Sequence, residues 1–336
     1  MNETPSISSA KSPSSGVQWL TVDADQAGQR LDNYLAARLK GLPKSRIYSL
    51  IRKGEVRVNK GRSRPEYKLM PGDQVRIPPV RLASPQEPVA AAPGLLTLLT
   101  NSVLFENEGL LVINKPPGLA VHGGSGVSLG LIEALRQLRP EARYLELVHR
   151  LDRDTSGCIM IAKKRSMLRH LQAALRDKGA SDIRKVYQAL VKGPWSPQCR
   201  RVDAPLLKTQ VGDDEKFVRV HPAGKPSLTE FRLLESFGEA SLVEARPITG
   251  RTHQIRVHAR HQGHCLVGDE KYGDDEFNKR MRDLGVRRLF LHAAALGFYL
   301  PESSEMTWVE APLAEDLAAA LDKLRAGNAS ARHREP

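Results

Sequence analysis

The nine residues His149-Arg150-Leu151-Asp152-Arg153-Asp154-Thr155-Ser156-Gly157 place two carboxylates, two guanidinium groups, an imidazole and two hydroxyls in one short segment. Apolar residues precede the segment, and the run Cys158-Ile-Met-Ile-Ala162 follows it. Short apolar runs bounded by polar residues predict buried strands. We therefore expect the polar segment to form a loop between two core strands. Catalytic and binding groups concentrate on loops that a rigid scaffold holds in place.

The loop allows two other interpretations. Asp152 or Asp154 is also suited to an ordinary turn, in which a carboxylate caps nearby backbone amides. The same two carboxylates would serve as acid and base in glycosyl chemistry if they faced the same way. A turn between them, which the sequence favours, would point them apart.

The charge and the cysteines restrict the class of protein. The chain has 336 residues and a net charge of +13, which indicates a polyanionic partner, nucleic acid before membrane. No apolar run approaches the ~20 residues of a membrane span. The three cysteines are far apart and form no CxxC pair, so neither a disulfide framework nor a zinc knuckle is predicted. We expect a cytoplasmic protein.

Most of the excess charge lies in one N-terminal segment. Residues 28–82 hold 14 Lys and Arg against 4 Asp and Glu. Periodicity predicts helices at 29–40 and from Ser45, as the cap, to Arg52, with strands at 55–59 and 74–77. Such segregation favours RNA or DNA binding through phosphate contacts over ordinary surface charge. The candidate contact residues are Arg30, Lys44, Arg46, Arg52, Lys53, Arg57 and Lys60.

This segment, RLDNYLAARL…PKSRIYSLIRKGEVRVNKGRSRPEYKLMPGDQVRI, resembles the S4-type RNA-binding domain. The resemblance rests on the RLD start, the S-x-x-x-x-x-I-R-x-G-x-V-x-V-N centre and the GD ending. It implies two short helices and a small sheet that together hold structured RNA.

Composition predicts the remaining organisation of the chain. Residues 1–16, with six serines and two prolines, and residues 327–336 are expected to be disordered tails. Residues 18–82 form the S4-type domain in this interpretation. Residues 83–97, rich in proline and alanine, form a semi-extended linker, and residues 98–326 form a second domain.

The second domain is predicted to be α+β, with flanking helices and a mixed, mostly antiparallel sheet rather than a doubly wound parallel one. Strands dominate, helices intervene irregularly, and several strands are joined by short turns. The predicted strands are a hairpin over 103–113 and strands at 185–191, 229–235, 240–246 and 288–299. The predicted helices are one capped by Ser128 and others at 166–178, 251–261 and 313–325.

A basic cluster, Gly250-Arg-Thr-His-Gln-Ile-Arg-Val-His258, offers further functional groups. A helix that begins with hydroxyl and amide groups and carries arginines can meet a phosphate and a carboxylate together, although a solvated helix face explains the segment equally well. His258, His261 and His264 are spaced by three, but no carboxylate or cysteine completes a metal pattern. The glycines at 123–126 form neither a P-loop nor a dinucleotide motif. We therefore predict neither a metal nor a cofactor.

Six motifs of the second domain resemble those of the RluA/RluC-type pseudouridine synthases. They are NKPPGLAVHGG (114–124), HRLDRDTSG (149–157), KVYQALVKG (185–193), GRTHQIRVH (250–258), GDEKYG (268–273) and RLFLHA (288–293). Order and spacing both fit, over residues 100–312. Cys265 departs from the residue more usual after Gly-His, without touching the catalytic assignment.

The resemblance implies a cofactor-free isomerisation, in which the uracil–ribose bond breaks, the base turns, and ribose is rejoined through a carbon. It identifies Asp152 as the catalytic aspartate, with Tyr187 and Arg256 in the site. Asp152 must be ionised to act, and we expect Arg256 to keep it so by pairing with it. It also makes Arg150 the residue that enters the RNA stack, and we assign Arg251 and His253 to RNA contacts. Whether Asp152 attacks the ribose, attacks the base or removes a ribose proton stays open.

With the S4-type domain in front, the resemblance implies that specific uridines of large-subunit (23S) ribosomal RNA are the substrate of a monomeric enzyme. The alternatives are a non-catalytic RNA-binding or ribosome-assembly factor, and a synthase acting on another RNA such as transfer RNA. Asp152, Tyr187 and Arg256 are all present, which argues against the first alternative.

Overall fold

The computed structural model describes residues 16–39, 41–80, 89–123, 129–176, 182–211 and 215–332. The chain divides into two compact units, residues 1–89 and residues 90–336. The first unit has a buried core of its own, which extends from Val22 to Ile77. The described part of the second unit has four buried clusters, the first residue of which is Ala91. Within the described residues, no helix combines the length and the apolar character that crossing a bilayer requires.

The first unit is a small α/β structure, as the S4 resemblance implies. Its elements are β1 (Gln18–Thr21), α1 (Leu31–Arg38), α2 (Lys44–Arg52), β2 (Arg57–Val58) and β3 (Gln74–Ile77), and the strands pair antiparallel in the order β1-β3-β2. Helix α2 begins at Lys44 with Pro43 as its N-cap, so the predicted Ser45 cap is wrong. A proline residue favours this boundary because its fixed φ suits the entry to a helix.

The second unit is built on one large sheet. Its strands are β4 (Val103–Glu106), β5 (Leu110–Lys115), β6 (Glu146–Leu147), β7 (Ser156–Ala162), β8 (Ile183–Lys192), β9 (Arg201–Asp203), β10 (Leu206–Val211), β11 (Glu215–Val220), β12 (Leu228–Ser236), β13 (Ala240–Pro247), β14 (Leu291–Tyr299) and β15 (Met306–Glu310). Its helices are α3 (Pro93–Asn101), α4 (Leu131–Leu138), α5 (Arg165–Arg176), α6 (Gln254–His261), α7 (Asp275–Asp283) and α8 (Glu315–Arg332).

The sheet order is β4-β5-β7-β14-β8-β13-β12-β9, with β6 added to β7 and β15 to β14, and β10-β11 forms a separate hairpin. Among the described strand pairs, only β7 and β14 run parallel, which confirms the predicted α+β class with a mixed, mostly antiparallel sheet. All seven residues of β7 are buried, which explains its unbroken apolar pattern.

Gly157 permits the close approach of β7 and β14. Its φ is +107°, and a Cβ atom there would collide with the backbone carbonyl of Ala293. Only glycine combines this conformation with this approach. The glycine of the HRLDRDTSG segment therefore fixes where the polar loop ends and the central strand begins.

Several predicted boundaries are corrected by the structure. The end of the predicted linker, from Pro93 onward, is helical. Proline is compatible with the first helical turn, because the N–H that it lacks would have no partner there. Helix α8 continues through 327–332 of the predicted tail, where Asn328 donates to the carbonyl of Ser236. Helix α6 begins at Gln254 rather than at residue 251. Helix α7, strand β15 and the β10-β11 hairpin were not predicted. The N-cap of α4 is Gly130, so the predicted cap at Ser128, which lies outside the described residues, is wrong.

Candidate active site

The polar loop connects β6 to β7, as the sequence predicts. The carbonyl of Asp152 accepts a hydrogen bond from the Thr155 N–H at 3.2 Å, which closes a turn through the two residues between them. Both carboxylates line the larger of the two cavities at this loop, but they differ in exposure. The Asp152 side chain is 21% exposed, whereas that of Asp154 is 47% exposed and pairs with its neighbour Arg153 at 3.1 Å. The two carboxylates therefore have different surroundings, with a local arginine partner at Asp154.

Lys115, at the end of β5, fastens this loop to the NKPPG segment. Its ammonium group is fully buried and donates to the carbonyls of Pro116 (2.8 Å), Leu119 (3.0 Å) and Arg153 (2.9 Å). Burial lowers the pKa of Lys115 to about 7, against the opposing charges of Asp154 and Asp152. A buried donor with three acceptors restricts the loop backbone, so Lys115 positions the residue next to Asp152.

Arg256 lies on α6 with its guanidinium group between two carboxylates. Its Nε and Nη2 atoms each donate to the carboxylate of Asp269 at 2.7 Å, while Nη1 lies 3.6 Å from Asp152 Oδ2. Arg256 therefore lies within ion-pair distance of Asp152, as predicted, and it has in addition a bidentate partner, Asp269, that the sequence analysis did not assign. The fork of the guanidinium group suits bidentate pairing and leaves Nη1 directed towards Asp152.

Asp269 is the buried carboxylate that holds the Arg256 guanidinium group. Its side chain is fully buried and also accepts from the backbone N–H groups of Lys271 and Tyr272, at 2.9 and 3.0 Å. Burial alone would raise the pKa of Asp269, but the hydrogen bonds and charge of Arg256 hold it below its ordinary value. Asp269 therefore stays ionised and keeps Arg256 in place.

His253 lies beside Asp152, with Nε2 3.8 Å from Asp152 Oδ2. It immediately precedes α6 in the left-handed region, with φ +53°, an uncommon conformation for a residue other than glycine. Its Nδ1 is 2.8 Å from the Tyr272 hydroxyl, whose oxygen accepts from the Val218 N–H at 3.0 Å. A neutral His253 with its proton on Nε2 satisfies all these groups. Burial lowers the pKa of His253, which favours this neutral form.

Tyr187 lies on β8, which pairs with β14 and β13 in the centre of the sheet, and its side chain is buried. Burial raises the pKa of Tyr187 well above its ordinary value, and the charge of Asp152 adds to the effect. The phenol is therefore neutral near pH 7. It lines the same cavity as Asp152.

Asp152 lies where two cavities meet. The larger one, of about 1050 Å³, and the smaller one, of about 490 Å³, share Asp152, Arg150, His253 and Arg256 among their lining residues. Among the described residues that line the smaller cavity, Asp152 is the only carboxylate. The cations that line it are Arg150, Arg176, Lys185, Arg251 and Arg256.

The structure brings together the predicted residues Asp152, Tyr187, Arg256, Arg150, Arg251 and His253 around these cavities. The sequence interpretation did not assign Asp269, Tyr272, Lys115 or Lys185 to the site. The first two belong to the quoted GDEKYG motif, Lys115 to NKPPG and Lys185 to KVYQALVKG, so the motifs contained the signal.

Two of the three histidines considered for metal binding have other contacts. His258 is fully buried, with Nδ1 2.8 Å from Thr229 Oγ1 and Nε2 3.0 Å from the carbonyl of Ala204. His264 Nδ1 lies 2.9 Å from the carbonyl of Lys192. Within the part of the chain that is described, no group of three His, Cys, Asp or Glu side chains is arranged to hold a metal.

In the first unit, six predicted RNA contacts are exposed: Lys44, Arg46, Arg52, Lys53, Arg57 and Lys60. Arg30 differs, because its Nη2 and Nε donate to Asp32 at 2.7 and 3.1 Å, and Tyr48 also donates to that carboxylate. Its contacts indicate that Arg30 also has a structural role at the start of α1.

Comparison with known proteins agrees with this geometry. The model of the family "RNA pseudouridylate synthase" matches residues 109–261, and that of the "S4 domain" matches residues 29–75. A "Ribosomal large subunit pseudouridine synthase C" of Yersinia pestis is 56% identical over 92% of this chain and 96% of that protein. The protein of the same name in Escherichia coli (strain K12) is 53% identical over 94% of this chain and 99% of its own length.

A solved structure, "Human RNA Pseudouridylate Synthase Domain Containing 4", covers 69% of this chain and 96% of its own, with a TM-score of 0.58 and 29% sequence identity. The likeness thus extends from motifs to the fold. The chain therefore belongs to the RNA pseudouridylate synthase family, with an S4 domain in front of the part that carries Asp152.

Proposed function

We propose that this enzyme isomerises specific uridines of large-subunit ribosomal RNA to pseudouridine, in the cytoplasm and as a monomer, with Asp152 as the catalytic carboxylate. The observation that carries the assignment of the site is the position of Asp152. Asp152 is the partly exposed carboxylate that Arg256 approaches, and it lines both cavities together with Arg150 and Arg256. The relatives named for the large ribosomal subunit support the choice of RNA.

The proposed reaction requires the substrate base to leave its helix. A uridine in folded RNA hides its glycosidic bond, and extruding it costs a few kcal/mol. Arg150 is exposed and lines both cavities, so its planar guanidinium group is placed to fill the gap left in the stack. The other cations that line the cavities neutralise the phosphates on either side of the flipped nucleotide.

Within the site, each side chain has a distinct role. Asp152 acts as an anion, and the Nη1 group of Arg256 stabilises its charge. The neutral Tyr187 presents an aromatic face to the uracil. Asp269 keeps Arg256 oriented without competing for the substrate, because it is fully buried.

Conversion of uridine in transcribed ribosomal RNA tests the proposal, measured by tritium release or by carbodiimide adducts. Wild-type protein that binds the RNA tightly but converts no uridine would favour the non-catalytic RNA-binding or assembly factor instead. If the enzyme converts uridine in transfer RNA in preference to ribosomal RNA, the proposed reaction stands but the proposed substrate is wrong.

Deleting residues 1–89 should leave a folded catalytic unit with weaker RNA binding. The first unit holds most of the excess charge, and the cores of the second unit begin at Ala91. We expect at least a tenfold loss of affinity at physiological salt, with a shallower dependence of affinity on salt, because about 0.9 counterion is released per phosphate contact. Filter binding over a salt series, with circular dichroism as the folding control, measures both. Equal affinity and equal salt slope would show that the unit is not an RNA anchor.

Arg150→Ala should impair turnover on structured RNA about tenfold more than on a short unstructured oligonucleotide. The reason is that the oligonucleotide has little stack to repair, while a lost stacking contact costs about 1–3 kcal/mol. Single-turnover conversion of both substrates measures the difference. Arg153→Ala, on the same loop and 63% exposed, is the matched control. Equal losses on both substrates would exclude the stacking role.

A further inference from the structure

The solvent face of the three-stranded sheet in the first unit carries an aromatic residue and two arginines in one row. In the register of the sheet, Trp19 on β1 lies opposite Arg76 on β3, which in turn lies opposite Arg57 on β2. Opposed residues of an antiparallel pair lie on the same face of the sheet, with Cβ atoms about 4.5–5.5 Å apart. The row therefore spans the whole width of this small sheet.

The opposite face packs on the core of the unit. Leu20, Val75 and Val58 occupy the neighbouring row, and all three contact the core cluster. Side chains alternate along a strand, so the row of Trp19 must face away from that core. Trp19 is 49% exposed, whereas Trp195 in the second unit is 2% exposed.

A single exposed apolar side chain is common and indicates nothing by itself. The arginines distinguish this one. Arg76 Nη1 donates to the carbonyl of Glu55 at 2.6 Å, and Arg57 Nε donates to that of Gly54 at 3.2 Å. Within the described residues, neither arginine forms an ion pair with a carboxylate. Both guanidinium groups are therefore held by neutral acceptors and keep their full positive charge for a ligand.

We propose that this row is a platform for single-stranded RNA, in which an unpaired base stacks on Trp19 while the neighbouring phosphates contact Arg76 and Arg57. Bases stack on aromatic side chains in sheets of other RNA-binding folds, and cations beside the ring bind the backbone. The platform rests on the proposed function only in requiring that the substrate be RNA.

The surroundings of Trp19 favour RNA over a protein partner. The adjacent row of the same face pairs Thr21 with Gln74, and the Gln74 amide donates to Thr21 Oγ1 at 3.0 Å. Tryptophan and arginine are also common at protein interfaces, so the choice of RNA rests on the charge of this unit. The excess of Lys and Arg in residues 28–82 complements a phosphate backbone.

The test compares Trp19→Ala and Trp19→Phe in the full-length protein, binding fragments of ribosomal RNA with unpaired loops over a salt series. We expect Trp19→Ala to weaken binding about 5- to 150-fold without changing the salt slope, because it removes stacking and no charge. Trp19→Phe should retain most of the affinity. Arg57→Gln should reduce the salt slope by about 1.

Trp308→Ala is the matched control, because Trp308 is 48% exposed but lies on β15 of the second unit. Thermal melts of every variant verify folding. If Trp19→Ala binds RNA as tightly as wild type, the platform is overturned. A third variant, Trp19→Leu, has an apolar side chain without an aromatic ring. If it binds as tightly as Trp19→Phe, apolar contact suffices and the stacking proposal is overturned. Uridine conversion is measured separately. If wild-type protein converts uridine but Trp19→Ala does not weaken RNA binding, only the platform is overturned. If wild-type protein converts no uridine, the proposed function is overturned.

Discussion

Asp152→Asn should reduce single-turnover conversion of uridine by at least about 10³-fold, while RNA binding stays within a few fold of wild type. Asparagine nearly preserves the shape of the side chain but carries no negative charge, so it removes the chemistry and keeps the fit. Losses of this size are typical when a nucleophile or general base is removed. Nucleophilic attack and proton removal alike require the anion. Quenched-flow conversion and filter binding on the same RNA provide the two measurements.

Asp154→Asn is the matched control for this loss. Asp154 lies two residues away on the same turn, but it is 47% exposed and pairs with its neighbour Arg153. We expect a loss of less than about tenfold, because an exposed ion pair contributes little. Substantial conversion by Asp152→Asn, together with a folded but inactive Asp154→Asn, would assign the catalytic carboxylate to the other residue.

Asp269→Asn should lower the free energy of unfolding of the second unit by about 3–5 kcal/mol and also impair conversion. Breaking a buried ion pair from one side leaves its partner charge uncompensated. The Arg256 guanidinium group would then face an amide in place of a carboxylate, and it would be free to approach Asp152 more closely. Urea denaturation measures the first effect, and single-turnover conversion measures the second.

Glu146→Gln controls for the loss of any carboxylate paired with an arginine. Glu146 pairs with Arg136 at 2.9 Å, but the two side chains are 43% and 45% exposed, so the change should cost less than about 1 kcal/mol. If Asp269→Asn is no more destabilised than Glu146→Gln, the Arg256–Asp269 pair does not organise the site. If the Asp269→Asn protein is as stable as wild type and converts uridine normally, Asp269 does not position Arg256.

The sequence alone determined the fold class and the local surroundings of Asp152. The polar segment 149–157 is directly followed by the apolar run of β7. This order of a polar and an apolar segment predicted a loop that leads into a buried strand. The same holds for Tyr187, since the strand pattern from Lys185 to Val191 falls within β8. The S4-type segment was equally clear, because its helices and strands and their charge follow each other within residues 28–82.

Only the tertiary structure decided which buried charges pair with each other and with backbone groups in the site. Arg256 and Asp269 are 13 positions apart, and Lys115 and Arg153 are 38 apart, so no local periodicity relates them. Their pairing depends on burial, because a charge removed from water must find a partner or acceptors within reach. Sequence patterns determine which face of a helix or strand is apolar. The partner of a buried charge depends instead on which distant residues the tertiary fold places beside it.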